Sequence, residues 1–177
     1  MDDVKIKDEL ISSIKNVIKH IETKEYWGDI NSFCLYTDES VMSVALLFNT
    51  FSFYNDMKDI EYPLTYKYKP SEWFSETIKE SEDPFLCNNV AFSTINSYLR
   101  GSFSVSDFNN NKEMVIKACI EALHDCIENL FFKKDKHLVY MFMVSDCYDQ
   151  KDIWNWNRAL NVVEIQDEMK IWIENEL

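Results

Sequence analysis

The sequence predicts an α+β fold: a single domain over residues 1–177 in which a small, largely antiparallel sheet is packed with amphipathic helices. Three observations predict it. Apolar residues recur at steps of three and four in residues 3–23 and again in 112–132, the period of a half-buried helix. Two runs rich in β-branched and aromatic residues, 32–37 (SFCLYT) and 41–51 (VMSVALLFNTF), flank the polar Asp38-Glu39-Ser40, as in a hairpin. Residues 137–145 (HLVYMFMVS) form a nearly continuous apolar run, the pattern of a strand covered on both faces.

The first helix carries Leu10, Ile11, Ile14, Val17, Ile18 and Ile21 on its stripe, with acids near its start and Lys19, His20 and Lys24 near its end, as the helix dipole favours. Residues 26–29 break it. After the hairpin, 52–62 read as a weak helix that Pro63 stops, because a residue before proline is pushed out of the α region. Residues 64–68 alternate as a short strand would, and 70–73 turn into a short helix reaching about residue 80. Asp83-Pro84 is a helix start, with Asp as cap and Pro at the first helical position, and predicts a helix over 85–99 closed by Gly101. Residues 102–112 read as a loop, and the helix over 112–132 ends at 133–136. Asn161 and Glu164 are spaced as a capping box opening a last helix with Ile165, Met169, Trp172 and Ile173 on one side. The predicted core comprises Ile14, Ile18, Leu35, Leu46, Leu123, Ile127, Tyr140 and Phe142.

Composition narrows the function. Only 2 of 177 residues are glycine, and they stand apart, so no Gly-rich loop exists to bring backbone N–H groups against a phosphate. With 31 acidic against 18 basic residues the formal charge is −13, which opposes binding to nucleic acid and to anionic membrane and favours a basic partner. No run of apolar residues is long enough to span a bilayer, and MDDVKIKDEL lacks a basic and an apolar leader region, so the expected location is the cytoplasm. The 5 cysteines show no C-x-x-C and no zinc-ligand spacing, and read as reduced, mostly buried thiols. No metal and no cofactor is expected.

His20, His124 and His137 have no Cys, Ser or second His at a spacing that makes a local site. Carboxylate pairs such as Asp38/Glu39, Glu76/Glu80 and Asp146/Asp149 are too common here to single out an acid–base mechanism. No motif has enzymatic specificity, and the chain is not expected to be an enzyme. The segment 145–157 is the exception to this blandness. It puts Asp146, Asp149 and Asp152 beside Tyr148, Trp154 and Trp156 directly after the buried strand. Aromatics supply desolvated contact area and carboxylates steer a cation, so these six are the candidate partner-binding residues. The competing reading makes both tryptophans core.

Four stretches carry a resemblance: FCLYTD at 33–38, KPSEW at 69–73, the strand at 139–146 ending in Ser145-Asp146, and RALN at 158–161. In this order they resemble the bacterial domain-of-unknown-function family 4303. The resemblance implies a small cytoplasmic bacterial protein, similar in size and acidity to the immunity proteins kept beside secreted polymorphic toxins. The expected function is therefore an immunity-type antitoxin that occludes a basic toxin domain, a nuclease or other cytotoxic enzyme. The alternative is a small-ligand or enzymatic domain using a pocket beside the sheet, with Asp146 or Glu72 as its polar group. The sequence leaves the oligomeric state open.

Overall fold

The apolar stripes become helices because each has a face to bury. In the computed structural model, which describes residues 3–102, 108–129, 132 and 137–177, the N-terminal stripe forms α1 (Asp3–Ile21) and the second long stripe α6 (Phe108–Glu128). Between and after them run β1 (Ile30–Thr37), β2 (Val44–Thr50), α2 (Phe51–Met57), α3 (Thr65–Tyr68), α4 (Pro84–Cys87), α5 (Ser93–Ser102), β3 (Val139–Val144), α7 (Gln150–Asn157) and α8 (Val163–Asn175). The sheet order is β2-β1-β3. The hairpin pairs antiparallel, Leu35 opposite Leu46, but β3 lies parallel to β1, Leu35 opposite Phe142. The sheet is thus mixed rather than largely antiparallel. The crossover through α6 returns the chain to the end of the sheet where β1 began, and a strand entering there must run parallel.

Helices cover both faces. Phe33, Leu35, Leu46, Phe48, Tyr140 and Phe142 meet Ile14, Ile18 and Leu123 of α1 and α6 on one side. Cys34, Leu47, Met141 and Met143 meet Tyr68, Trp73, Ile153, Met169 and Trp172 on the other. This alternation along each strand follows from the two-residue side-chain period. Seven of the eight predicted core residues are buried, and Ile127 is packed against the same cluster while partly exposed.

Asparagines, Asn96 and Asn157 buried and Asn161 half-buried, tie the helices to the strands. Asn157 accepts from the Phe142 N–H (2.7 Å) and donates to the Phe142 carbonyl (3.0 Å). One helical turn on, Asn161 does the same to Tyr140, accepting at 2.8 Å and donating at 2.7 Å. Across the sheet Asn96 of α5 accepts from the Val44 N–H (2.8 Å) and donates to its carbonyl (3.1 Å). An amide presents an acceptor and a donor at the spacing of a neighbouring strand, so each serves as one residue of an added ladder.

Several local expectations change. Residues 64–68 hold a helical turn, α3, not a strand: the Leu64 N–H and Thr65 hydroxyl donate to Glu176 (2.9 and 3.1 Å), and Tyr68 stacks on Trp172 with ring centroids 5.6 Å apart. Residues 70–77 form two short 3₁₀ turns, Pro70–Glu72 and Phe74–Thr77. Asp83 does cap α4, accepting from the Leu86 N–H at 3.2 Å, but the helix predicted over 85–99 breaks at Asn89, which takes a left-handed φ of 48°. Gly101 lies inside α5 and does not close it. Residues 108–112, expected in a loop, already belong to α6; 103–107 and 133–136 lie outside the described residues. Asn161 does not cap α8, whose cap position is Val162, because its amide is committed to Tyr140.

Candidate functional site

The site is a groove of about 930 Å³ at the end of the sheet where β1 and β3 finish. Its walls are the outward stripe of α6, running from Asn109 through Glu113, Ile116 and Ile120 to Glu121, and the segment from Val144 to Asp149 with the near face of α7. Continuation of the sheet places the second wall: the Ser145 N–H donates to the Thr37 carbonyl at 2.8 Å, and Cys147 closes a turn onto Val144 at 3.2 Å. Within that turn Asp146 has φ 56°, a left-handed conformation that few residues other than glycine adopt readily. Asp is among those that tolerate it, and the Ser145 hydroxyl donates to its carboxylate at 3.0 Å. Asp149 starts α7, accepting from the Asp152 N–H at 2.9 Å.

Of the six residues expected to meet a partner, Asp146, Tyr148, Asp149, Asp152 and Trp156 line this one groove. Tyr148 is 64% exposed, unusual for so large a ring. Trp156 is half-buried, its ring edge-on to Phe142 at 5.4 Å, so it floors the groove while anchored in the core. Trp154 does not line the groove; it packs against the second cluster, which Trp156 also reaches. Residues two apart on a helix do not share a face, so the two tryptophans of α7 cannot both point into the groove.

The wall supplied by α6 is absent from the expected site. Glu113, Glu121, Lys112 and Lys117 lie there, joined by Glu39 from the hairpin turn. The spacing 109, 113, 116, 120 is a second helical stripe beside the core-facing one, which marks an outward face without saying what it faces. The two lysines are engaged locally: Lys112 donates to the Glu39 carbonyl at 2.9 Å, and Lys117 pairs with Glu121 at 3.8 Å. Six carboxylates against two cations leave the groove acidic. They do not converge. Among the described residues no group of three His, Cys, Asp or Glu side chains stands close enough to hold a metal ion. Carboxylates spread along a groove attract an extended cationic surface rather than chelate a point charge.

A smaller pocket of about 300 Å³ lies beside β2, lined by Leu46, Phe48, Ser75, Glu76, Phe85 and Cys87 among others. Partial desolvation lifts the Glu76 carboxyl above its ordinary range. Neither acid that the small-ligand alternative invoked lines it: Asp146 faces the groove, and Glu72 pairs with Lys69 at 3.2 Å. Of the histidines, His20 meets the buried Asp83 at 2.8 Å, a pairing across 63 residues of sequence. Lys24 reaches the same carboxylate oxygen at 2.8 Å. Burial opposes the charge on Asp83, but hydrogen bonds from Lys24, His20 and the Leu86 N–H outweigh it and hold the carboxyl down at about 2. This is a clasp between the end of α1 and the start of α4. His124 and His137 are exposed.

All five cysteines are free thiols; Cys34, Cys119 and Cys126 are buried, and desolvation pushes Cys126 up to about 12. Among the described residues no helix is long and apolar enough to cross a membrane.

The fold is α+β, and its distinctive surface is an acidic, aromatic-floored groove at one end of the sheet. The chain belongs to the family described as domain of unknown function (DUF4303), which it matches over residues 6–162. That span takes in both groove walls and stops just before α8. No curated protein and no solved structure is significantly similar to it.

Proposed function

We propose that this chain is an immunity-type binding protein that neutralises a basic toxin domain by occlusion, acting in the cytoplasm of the cell that makes the toxin. The observation that carries the reading is the groove: three aspartates and two aromatics that sequence alone singled out share one concave surface with three more carboxylates. Inhibition of this kind needs no chemistry. Spread carboxylates raise the encounter rate with a cationic partner, and rings such as Tyr148 and Trp156 supply the desolvated contacts that slow departure.

The test starts from the polypeptide encoded directly upstream of this chain. Its C-terminal domain, expressed alone, should arrest growth, and co-expression should relieve the arrest. In the purified complex, kon should fall as salt rises and fall again in the Asp146→Lys/Asp152→Lys variant, with koff little changed. Asp149 is left intact because it caps α7. A neighbour that is harmless, or whose toxicity this chain does not relieve, rejects the reading.

A further inference from the structure

We propose that the projection at residues 55–63, and not the groove, is the element that enters the partner's cleft; this rests on the reading of the chain as an inhibitor of a basic protein. The groove can hold a basic surface of the partner beside its active site, while a catalytic cleft, being concave, is entered by a convex element. The projection begins in the last turn of α2, continues beyond it and is an unbroken run of nine exposed residues. At its tip Ile60 is fully exposed (101%), with Met57 and Tyr62 exposed on either side (43% and 46%). Single exposed apolar residues are ordinary. Three within six residues concentrate exposed apolar side chains on one short stretch.

The projection is held in shape. Thr50 caps α2 by accepting from the Phe53 N–H (3.2 Å), and the Lys58 N–H donates to the Tyr54 carbonyl (2.9 Å). The Glu61 N–H donates to Asp59 (2.6 Å), and the Tyr54 hydroxyl donates to the Pro63 carbonyl (3.2 Å) across the base. A tip ordered beforehand loses little freedom on binding.

Charge selects the occupant. Asp56, Asp59 and Glu61 flank Ile60 in the sequence, all exposed, with Lys58 as the single cation of residues 55–63. Tip-to-tip association of two copies would set these carboxylates against each other in a chain of charge −13, and insertion into anionic lipid would carry them towards like charge. A recess with an apolar floor and a Lys/Arg rim satisfies both the isoleucine and its acidic collar. The projection leaves the sheet from the end of β2 that pairs with the start of β1, opposite the groove. The two ends are about 20 Å apart at ~3.3 Å per strand residue, so the two surfaces are separable by substitution.

The experiment uses the full chain and the upstream-encoded toxin domain, and reads binding and residual toxin activity separately. Ile60→Ala should raise the inhibition constant roughly ten- to a hundredfold, the effect of losing one buried aliphatic anchor, with the thermal midpoint unchanged. Asp59→Lys/Glu61→Lys should do likewise. Asp146→Lys/Asp152→Lys should slow association yet inhibit fully at saturation. If both projection variants inhibit as the wild type does, the projection is rejected and the inhibitor reading stands. A wild-type chain that neither binds nor inhibits rejects both. A concentration-dependent dimer abolished by Ile60→Ala would assign the tip to self-association and overturn the proposal.

Discussion

At one end of the sheet the surface is assembled from the hairpin turn, α6, the strand-to-helix turn after β3 and α7, segments more than 100 residues apart; at the other, residues 51–63 are shaped chiefly by short-range bonds, with the base fastened where the Ser52 N–H donates to Asp29 (3.0 Å) and Phe53 meets Phe74 (ring centroids 5.9 Å). The groove is therefore a property of how α6 and α7 dock on the strands, and it exists only while they do. The projection depends on local caps and turns, and its tip touches little else. A change in the frame should deform the first and spare the second, whereas a change at the tip should leave every other part of the molecule intact.

Asn157→Ala should break that comparison most strongly. It leaves the buried N–H and carbonyl of Phe142 without their amide partner and unties α7 from β3. The expected loss is about 2–4 kcal/mol in urea unfolding, accompanied by a shift in fluorescence from Trp156 in the groove wall. An unchanged denaturation midpoint would mean that α7 is held by packing alone. Acid should act next. Asp83 is held at about 2, below the ~3.9 of an unfolded aspartate, so the contribution of the clasp is complete above about pH 5 and is lost as pH falls through about 2. Its size is on the order of 2–3 kcal/mol, and Asp83→Asn should flatten that part of the stability–pH curve. A curve of the same slope in the variant would remove the clasp from the account.

Asp149→Ala should cost about 1 kcal/mol by uncapping α7, while Asp152→Ala, on the exposed first turn of the same helix, should cost less than about 0.5. Equal losses would show that the groove acids are not divided into a structural and a free member. Ile60→Ala should be smallest of all in stability, within about 0.5 kcal/mol, since no contact is lost. A large loss there would mean that the tip is packed and the two ends are not independent.

What sequence revealed follows the same division between local and assembled structure. The Asp83-Pro84 cap, the stripes of α1 and α6 and the buried run of β3 were legible because each is encoded within a few consecutive residues. Asn161 misled for a physical reason: its spacing from Glu164 suits a cap, but the Tyr140 backbone offers its amide two partners inside the fold, and tertiary pairing wins. Residues 64–68 misled similarly, since five alternating residues fit a strand or a turn of helix equally well until Glu176, from 112 residues away, claims the Leu64 N–H. In the candidate site, carboxylates and rings in 145–157 were visible as composition, whereas the wall from α6 was not. No local pattern states which strand end a helical face will meet. The separation of Trp154 from Trp156 was within reach, since it needs only the 3.6-residue turn.

Asparagines bonded to Val44 on one border of the sheet and to Tyr140 and Phe142 on the other leave those stretches of main chain no vacancy for a fourth strand. Ser75 closes another position by accepting from the Phe48 N–H at 3.1 Å. Unpaired borders are what allow sheets to recruit foreign strands, swap segments between copies or seed fibrils. Here three strands suffice because side-chain amides terminate the ladder on both sides. Recognition of another chain by backbone pairing is thereby closed at these positions, and any contact made there has to run through side chains.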